Sequence, residues 1–214
     1  MTNMSLRHYS STNYSLNNPG YLSSQFYLVY QQETNEIYRR TYKWLDQPPT
    51  FPFGYGLHYT NLSVSIDPSF TAKISVFNIS SLIPSAQNSS SPLDLHPFIG
   101  VPVTVANTGS VTSDYVVLGF LAGTYGPTPY PNKSLVAYQR LFSIESGSSQ
   151  STTLSLNLGS LARVDNNGDV ILYPGQYRLG IDVDGNVGWD FNLVGDAAVL
   201  DSWPAPPPFG NSGN

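Results

Sequence analysis

Three groups of residues carry the types and spacings that chemistry requires. The first is Asp182, Asp184 and Asp190. Two carboxyl groups hydrolyse glycosides when they face one cavity ~5–9 Å apart and their environments push their pKa values apart. Along an extended strand Asp182 and Asp184 share one face, opposite Tyr177, Leu179, Ile181 and Val183. That places them on a solvated surface, so catalysis is not expected of them. The second group is Asp165, Asn167 and Asp169, spaced like the start of a calcium loop. Such a loop needs glycine at its sixth position and glutamate at its twelfth. Val170 and Gln176 stand there, and Asn167-Gly168 reads instead as a hairpin turn. The third group, His8, His58 and His96, is too scattered to pair on a metal. The chain has no cysteine, which excludes disulfides, zinc thiolates and thiol nucleophiles. No Gly-x-Ser-x-Gly elbow is present. The residues therefore predict no catalytic, metal or cofactor site. Tyr125 and Tyr130, beside several prolines, could stack on sugar rings or pack against another domain.

Six Asn-x-Ser motifs begin at Asn3, Asn13, Asn61, Asn78, Asn88 and Asn132. They exceed chance mildly and are candidate N-glycosylation sites, which points to a secreted protein. Composition agrees. Of 214 residues, 40% are hydrophobic but only 11% are charged, against ~25% in ordinary globular chains. The polar surface must come from Ser, Thr, Asn and backbone, which suits extracellular β proteins. The net charge is −5, and no basic cluster exceeds Arg39-Arg40. Nothing could track a phosphate backbone, so nucleic acid is not an expected partner. No apolar run approaches the ~18 residues of a membrane span, and no membrane partner is expected. Met1 to Asn13 is polar and lacks the apolar core of a signal peptide.

The positioning elements read as strands. Leu62, Val64 and Ile66 alternate with serines, and Ile74, Val76 and Asn78 continue that period. Residues 84–92 read as a loop. Val101, Val103 and Val105 share a face, with Pro102 indicating an edge or bulge and Asn107-Thr-Gly109 ending the strand. Tyr115 to Leu121 is nearly continuous apolar sequence, as in a strand covered on both faces. Val136, Tyr138 and Arg140 begin another strand. Leu154, Leu156 and Leu158 form the clearest half-buried one, and Trp189, Phe191 and Leu193 the last. Short strands punctuated by turns predict an all-β fold, an immunoglobulin-like or fibronectin type III-like β-sandwich over residues 60–203. Tyr177, following Pro174-Gly175, is placed as a tyrosine corner. Residues 1–59 read as an irregular connector and 204–214 as a flexible tail.

Family-specific segments stand on this frame. Arg40-Thr-Tyr-Lys-Trp44 and Phe51-Pro-Phe-Gly-Tyr-Gly-Leu-His-Tyr-Thr60 resemble the junction between the α/β sandwich domain and the C-terminal module of glycoside hydrolase family 3. Pro129-Tyr-Pro-Asn-Lys133, Gly159-Ser-Leu-Ala-Arg-Val-Asp165, Asp182-Val-Asp-Gly185 and Ala198-Val-Leu-Asp-Ser-Trp-Pro204 resemble its fungal β-xylosidase branch. The resemblance covers nearly all of residues 40–207. It implies retaining xylan 1,4-β-xylosidase chemistry in a secreted parent, carried out by a (β/α)₈ barrel that this chain does not contain. No catalytic residue transfers. The implied partners are the catalytic domains of the same enzyme, with xylo-oligosaccharide contacted only indirectly. Trp44, Phe53, Tyr55, Leu57 and Tyr59 are the implied interdomain junction. In the family Asn-Pro-Gly runs directly into Arg-Thr-Tyr-Lys-Trp, whereas here nineteen residues, Tyr21 to Arg39, intervene. That insert reads as a retained intron. The competing reading of the whole chain is an independent carbohydrate-binding or adhesion β-sandwich.

Overall fold

In the computed structural model the described residues are 41–45, 48–72, 75–87 and 92–204. Contacts divide the chain into two units, Met1–Thr50 and Phe51–Asn214. In the first, the described residues 41–45 make a turn in which the Trp44 and Leu45 amides both donate to the Thr41 carbonyl at 2.9 Å. The proposed insert at 21–39 lies outside the described residues.

The second unit is an all-β sandwich. In chain order it runs β1 (Leu62–Ile66), α1 (Pro68–Thr71), β2 (Val76–Asn78), α2 (Ile79–Gln87) and a 3₁₀ turn at Leu93–Leu95. Then come β3 (Pro97–Asn107), β4 (Ser113–Tyr125), β5 (Ser134–Ile144), β6 (Ser149–Asn157) and α3 (Leu158–Leu161). It closes with β7 (Arg163–Val164), β8 (Val170–Leu172), β9 (Gly175–Ile181), β10 (Val187–Val194) and β11 (Ala198–Asp201). One sheet has the order β1-β3-β6, the second β2-β10-β9-β4-β5, and a small third β11-β8-β7. Only the β10–β2 pairing is parallel among these.

Period-two patterning builds the core. Val101, Val103 and Val105 of β3 and Leu154 and Leu156 of β6 are buried from one sheet. Tyr177, Leu179 and Ile181 of β9 and Trp189, Phe191 and Leu193 of β10 are buried from the other. Each such side chain removed from water contributes ~1.5–3 kcal/mol. Aromatic rings organise one end of the core. Tyr125 stacks on Tyr177 at 4.0 Å between centroids, Tyr177 on Phe191 at 5.2 Å, and Phe191 on Trp189 at 4.4 Å. Pro102 sits one residue beyond the last β1 partner, Val103, so β3 is an edge on that side where the proline falls.

Several local readings need correction. In β2 the inward residue is Phe77, packed against Phe98, Trp189 and Phe191, while Val76 is 55% exposed. Parallel pairing of only three residues with β10 fixes that phase, and a strand so short carries no readable period. Residues 84–87 belong to α2 rather than to a loop, because the Asn78 side chain accepts from the Ser80 amide at 3.0 Å and starts the helix. Leu158 opens α3 instead of ending β6. Asn157 and Ser160 form a reciprocal capping box there. In β5 Tyr138 is exposed, and Leu141 and Ile144 supply the buried positions.

Candidate functional site

The segment Phe51–Tyr59 lies as a strap along the outer side of the five-stranded sheet. Phe53 meets the edge of Phe120 at 6.2 Å between centroids, and His58 tilts over Tyr115 at 5.2 Å. Gly54 has φ +90, and a Cβ there would stand 2.7 Å from Leu118 Cδ1. Only glycine allows this approach in this conformation. The strap explains the apolar run in β4. Val117 and Leu121 face the core, while Phe120 and Leu118 are covered from outside by the strap. Cover is incomplete, since Val116 remains 39% exposed.

Asn107 anchors the strap's far end. It is buried, and all its polar capacity is used. Its Nδ2 donates to the carbonyls of Val111 at 2.8 Å and Ile144 at 2.9 Å. Its Oδ1 accepts from Thr60 Oγ1 at 2.7 Å and the Gly109 amide at 3.1 Å. One side chain thus ties the strap to the ends of β3 and β5 and the start of β4. The Asn-Thr-Gly pattern signalled only a strand end.

Between the strap and the β9–β10 turn opens a cleft of about 640 Å³. Asp182 forms its wall. Contrary to the sequence expectation, this side chain is half-buried rather than solvated. Its backbone has φ +60, which ends the strand alternation and turns the carboxylate back onto β4. There Oδ2 accepts from Tyr115 Oη at 2.7 Å and Oδ1 from the Leu118 amide at 3.2 Å. Burial raises the Asp182 carboxyl above its ordinary range, partly offset by these hydrogen bonds. Burial and the adjacent carboxylate push the Tyr115 phenol strongly upward. Asp184 is exposed and accepts from Asn186 Nδ2 at 2.7 Å, and Asp190 accepts from Arg178 at 2.6 Å. Each carboxylate is committed to a local structural partner. Asp182 and Asp184 both line this cleft, and their hydrogen bonds to Tyr115, Leu118 and Asn186 fix the turn there.

The Asp165 side chain accepts from the Asn167 and Asp169 amides at 2.8 and 3.0 Å. This is a closed turn, with Gly168 at φ +90. Among the described residues no group of three acidic, His or Cys side chains is placed to hold a metal.

The remaining predicted positions separate clearly. Tyr177 is buried, and its hydroxyl donates to the Tyr173 carbonyl at 2.5 Å. In the strap, Phe53 is 47% exposed, Tyr55 51%, Leu57 84% and Tyr59 96%. Trp44 is half-buried in the other unit. Asn61, Asn78 and Asn132 are exposed, and Asn3, Asn13 and Asn88 lie outside the described residues. Tyr125 is buried against Tyr177 and unavailable to a ligand, whereas Tyr130 is 39% exposed. Arg163 was not foreseen as a site. Its guanidinium donates to the carbonyls of Tyr125, Pro127 and Pro129 at 2.9, 2.6 and 3.1 Å. It holds the backbone from Tyr125 to Pro129 from a distant stretch of sequence, a link that no sequence signal marked.

No family model matches the chain. Over 173 residues it is 43% identical to the probable exo-1,4-β-xylosidase of Aspergillus flavus, covering 78% of this chain and 21% of that protein. It is 42% identical over 171 residues to another probable exo-1,4-β-xylosidase, from Neosartorya fischeri, covering 78% of this chain and 22% of that one. A solved family 3 exo-β-xylosidase, bound to a xylobiose aziridine activity-based probe, matches with TM-score 0.69 and 34% identity. That match covers 78% of this chain and 21% of the enzyme. A β-glucosidase from Listeria innocua shares the fold, with TM-score 0.54 and 18% identity, over 71% of this chain and 19% of that one. The chain thus spans about a fifth of the length of the curated relatives it matches.

Proposed function

From the premise that this chain is homologous to a C-terminal part of glycoside hydrolase family 3 exo-1,4-β-xylosidases, we propose that it is their non-catalytic, fibronectin type III-like module. It packs on and supports the catalytic domains of a secreted, xylan-degrading enzyme. The observation that carries this reading is the strap. Five large apolar side chains, Phe51, Phe53, Tyr55, Leu57 and Tyr59, stand 47–96% exposed within nine residues. A contiguous apolar surface of this kind marks a protein contact. The Tyr177 hydroxyl, bonded to the Tyr173 carbonyl across Pro174-Gly175, supports the tyrosine-corner assignment and with it the fibronectin-like topology. The exposed sequons at Asn61 and Asn132 are compatible with glycosylation in a secreted parent. An aryl β-xyloside assay tests the reading. The purified chain should give no turnover above buffer, and turnover that tracks the folded protein through gel filtration would overturn it.

A further inference from the structure

The cleft beneath the strap continues on the far side of the His58–Tyr115 pair. A second hollow of about 310 Å³ shares Gly54, Gly56, His58, Tyr115, Val116 and Leu118 with the first and runs on to Asp114 and Arg140. The two adjoin as one groove, with the bare backbone of Gly56 lining both hollows and Tyr55 lining the first. Near Gly56 only the His58 ring comes within 4 Å of where a Cβ would stand.

The lining restricts what fits. Leu62, Val64, Leu118 and Val187 give apolar floor, and Tyr55 and Tyr115 give aromatic surface. The polar groups are Asp184 and Asn186 at one end, His58 in the middle and the Arg140–Asp114 ion pair, 2.7 Å, at the other. The Asp182 carboxylate adds negative charge to the first lobe, which opposes a phosphate or other anion. β4 is an interior strand between β9 and β5, so the groove offers no free ladder edge to an extended peptide. Side-chain hydroxyl, amide, carboxylate and imidazole groups alternating with apolar surface suit a ligand with the same alternation. A neutral pyranose chain has it, with C–H faces and a rim of hydroxyls. Cavities of this size are typical of small-ligand sites.

We propose that the groove between the Gly54–His58 strap and β4 is a subsite that binds a short, neutral β-linked pyranose oligosaccharide directly. The sugar class rests on the reading of the chain as a xylosidase module; the lining adds mixed apolar and hydrogen-bonding surface and carboxylates that disfavour an anion. The test is an amide NMR titration of the isotope-labelled full chain with xylotriose. Shifts should concentrate at Gly54, Gly56, His58 and Asn186. Tyr55→Ala should weaken binding roughly tenfold, about 1.4 kcal/mol, with unchanged thermal unfolding. Tyr138→Ala, outside the groove, should not. No shifts at ~20 mM xylotriose, well above a weak site's Kd of about 1 mM, would overturn the proposal, as would shifts confined to Tyr130–Lys133. If the same amides ignore xylotriose but move when a catalytic region is supplied in trans, the groove is a protein contact. The subsite would then be lost while the module reading stands.

Discussion

The inner face of the five-stranded sheet and the strap on its outer side are about equally aromatic, yet they meet water oppositely. Tyr177, Trp189 and Phe191 are 2% exposed and stacked in series, whereas Phe51, Tyr55 and Tyr59 are 51–96% exposed. The inner rings find partners within the unit, from β4, β9, β10 and β2. Of the strap's rings, Phe53 meets Phe120 and His58 meets Tyr115. The contrast teaches that the inner rings are taken out of water by the sandwich, while the strap's large side chains stay exposed in this unit.

Truncating the inner face should therefore have the largest effect. Trp189→Ala should cost ~3–5 kcal/mol of unfolding free energy, read by denaturant titration. A loss under ~1 kcal/mol, the range of a tolerant surface site, would mean that the ring stack does not hold the sheets together. Asn107→Ala comes next, at about 3 kcal/mol, because it leaves the Val111 and Ile144 carbonyls and Thr60 without their partner. It should also raise hydrogen exchange across the strap, a change that Trp189→Ala would not confine there. Tyr177→Phe removes one hydroxyl from the same core without changing its volume and should cost ~1–2 kcal/mol.

A smaller effect separates two carboxylates of this sheet by pH. The folded Asp182 titrates above its ordinary range because it is buried, so the fold favours its protonated form. Its contribution is fully present below the unfolded value of ~3.9 and is lost as pH rises through the folded one. Wild-type stability should thus decline relative to Asp182→Asn as pH rises through that window, then run parallel. Asp114 has the opposite sign. Hydrogen bonds from the Ser143 amide and Arg140 hold its carboxyl below the usual range, so its contribution is lost as pH falls through the folded value. Thermal unfolding of Asp182→Asn and Asp114→Asn across the acid range reads the two signs. The smallest effect belongs to the strap itself. Leu57→Ser and Tyr59→Ser should change stability by less than ~0.5 kcal/mol, while reducing self-association at high concentration.

The sandwich was legible where a strand has one wet and one dry face. Leu154 and Leu156, and Tyr177, Leu179 and Ile181, announce themselves by alternation, and the structure buries each of them. Legibility failed where tertiary contact overrides local pattern. Asp182 looked solvated because alternation was carried one residue too far; its positive φ redirects the side chain to Tyr115 and the Leu118 amide. Phe77 was given the wrong phase because three residues of parallel pairing set it. Tyr125 reads as a ring available to a sugar or another domain, but it ends β4 stacked on Tyr177. Arg163 and its loop were recognised as separate motifs, and only the fold shows that one clamps the other. The groove beneath the strap had no sequence signal, because it is made by Gly54 and Gly56 lying over a strand some sixty residues away.

The most direct test of the central claim is association in trans. A family 3 exo-β-xylosidase lacking its C-terminal fifth would be titrated with this chain and followed by sedimentation and hydrogen exchange. The account predicts a complex that protects the amides of residues 51–59 and is weakened at least tenfold, ~1.4 kcal/mol, by Leu57→Ser with Tyr59→Ser at unchanged unfolding temperature. Absence of a complex, or a complex indifferent to those two substitutions, would contradict it.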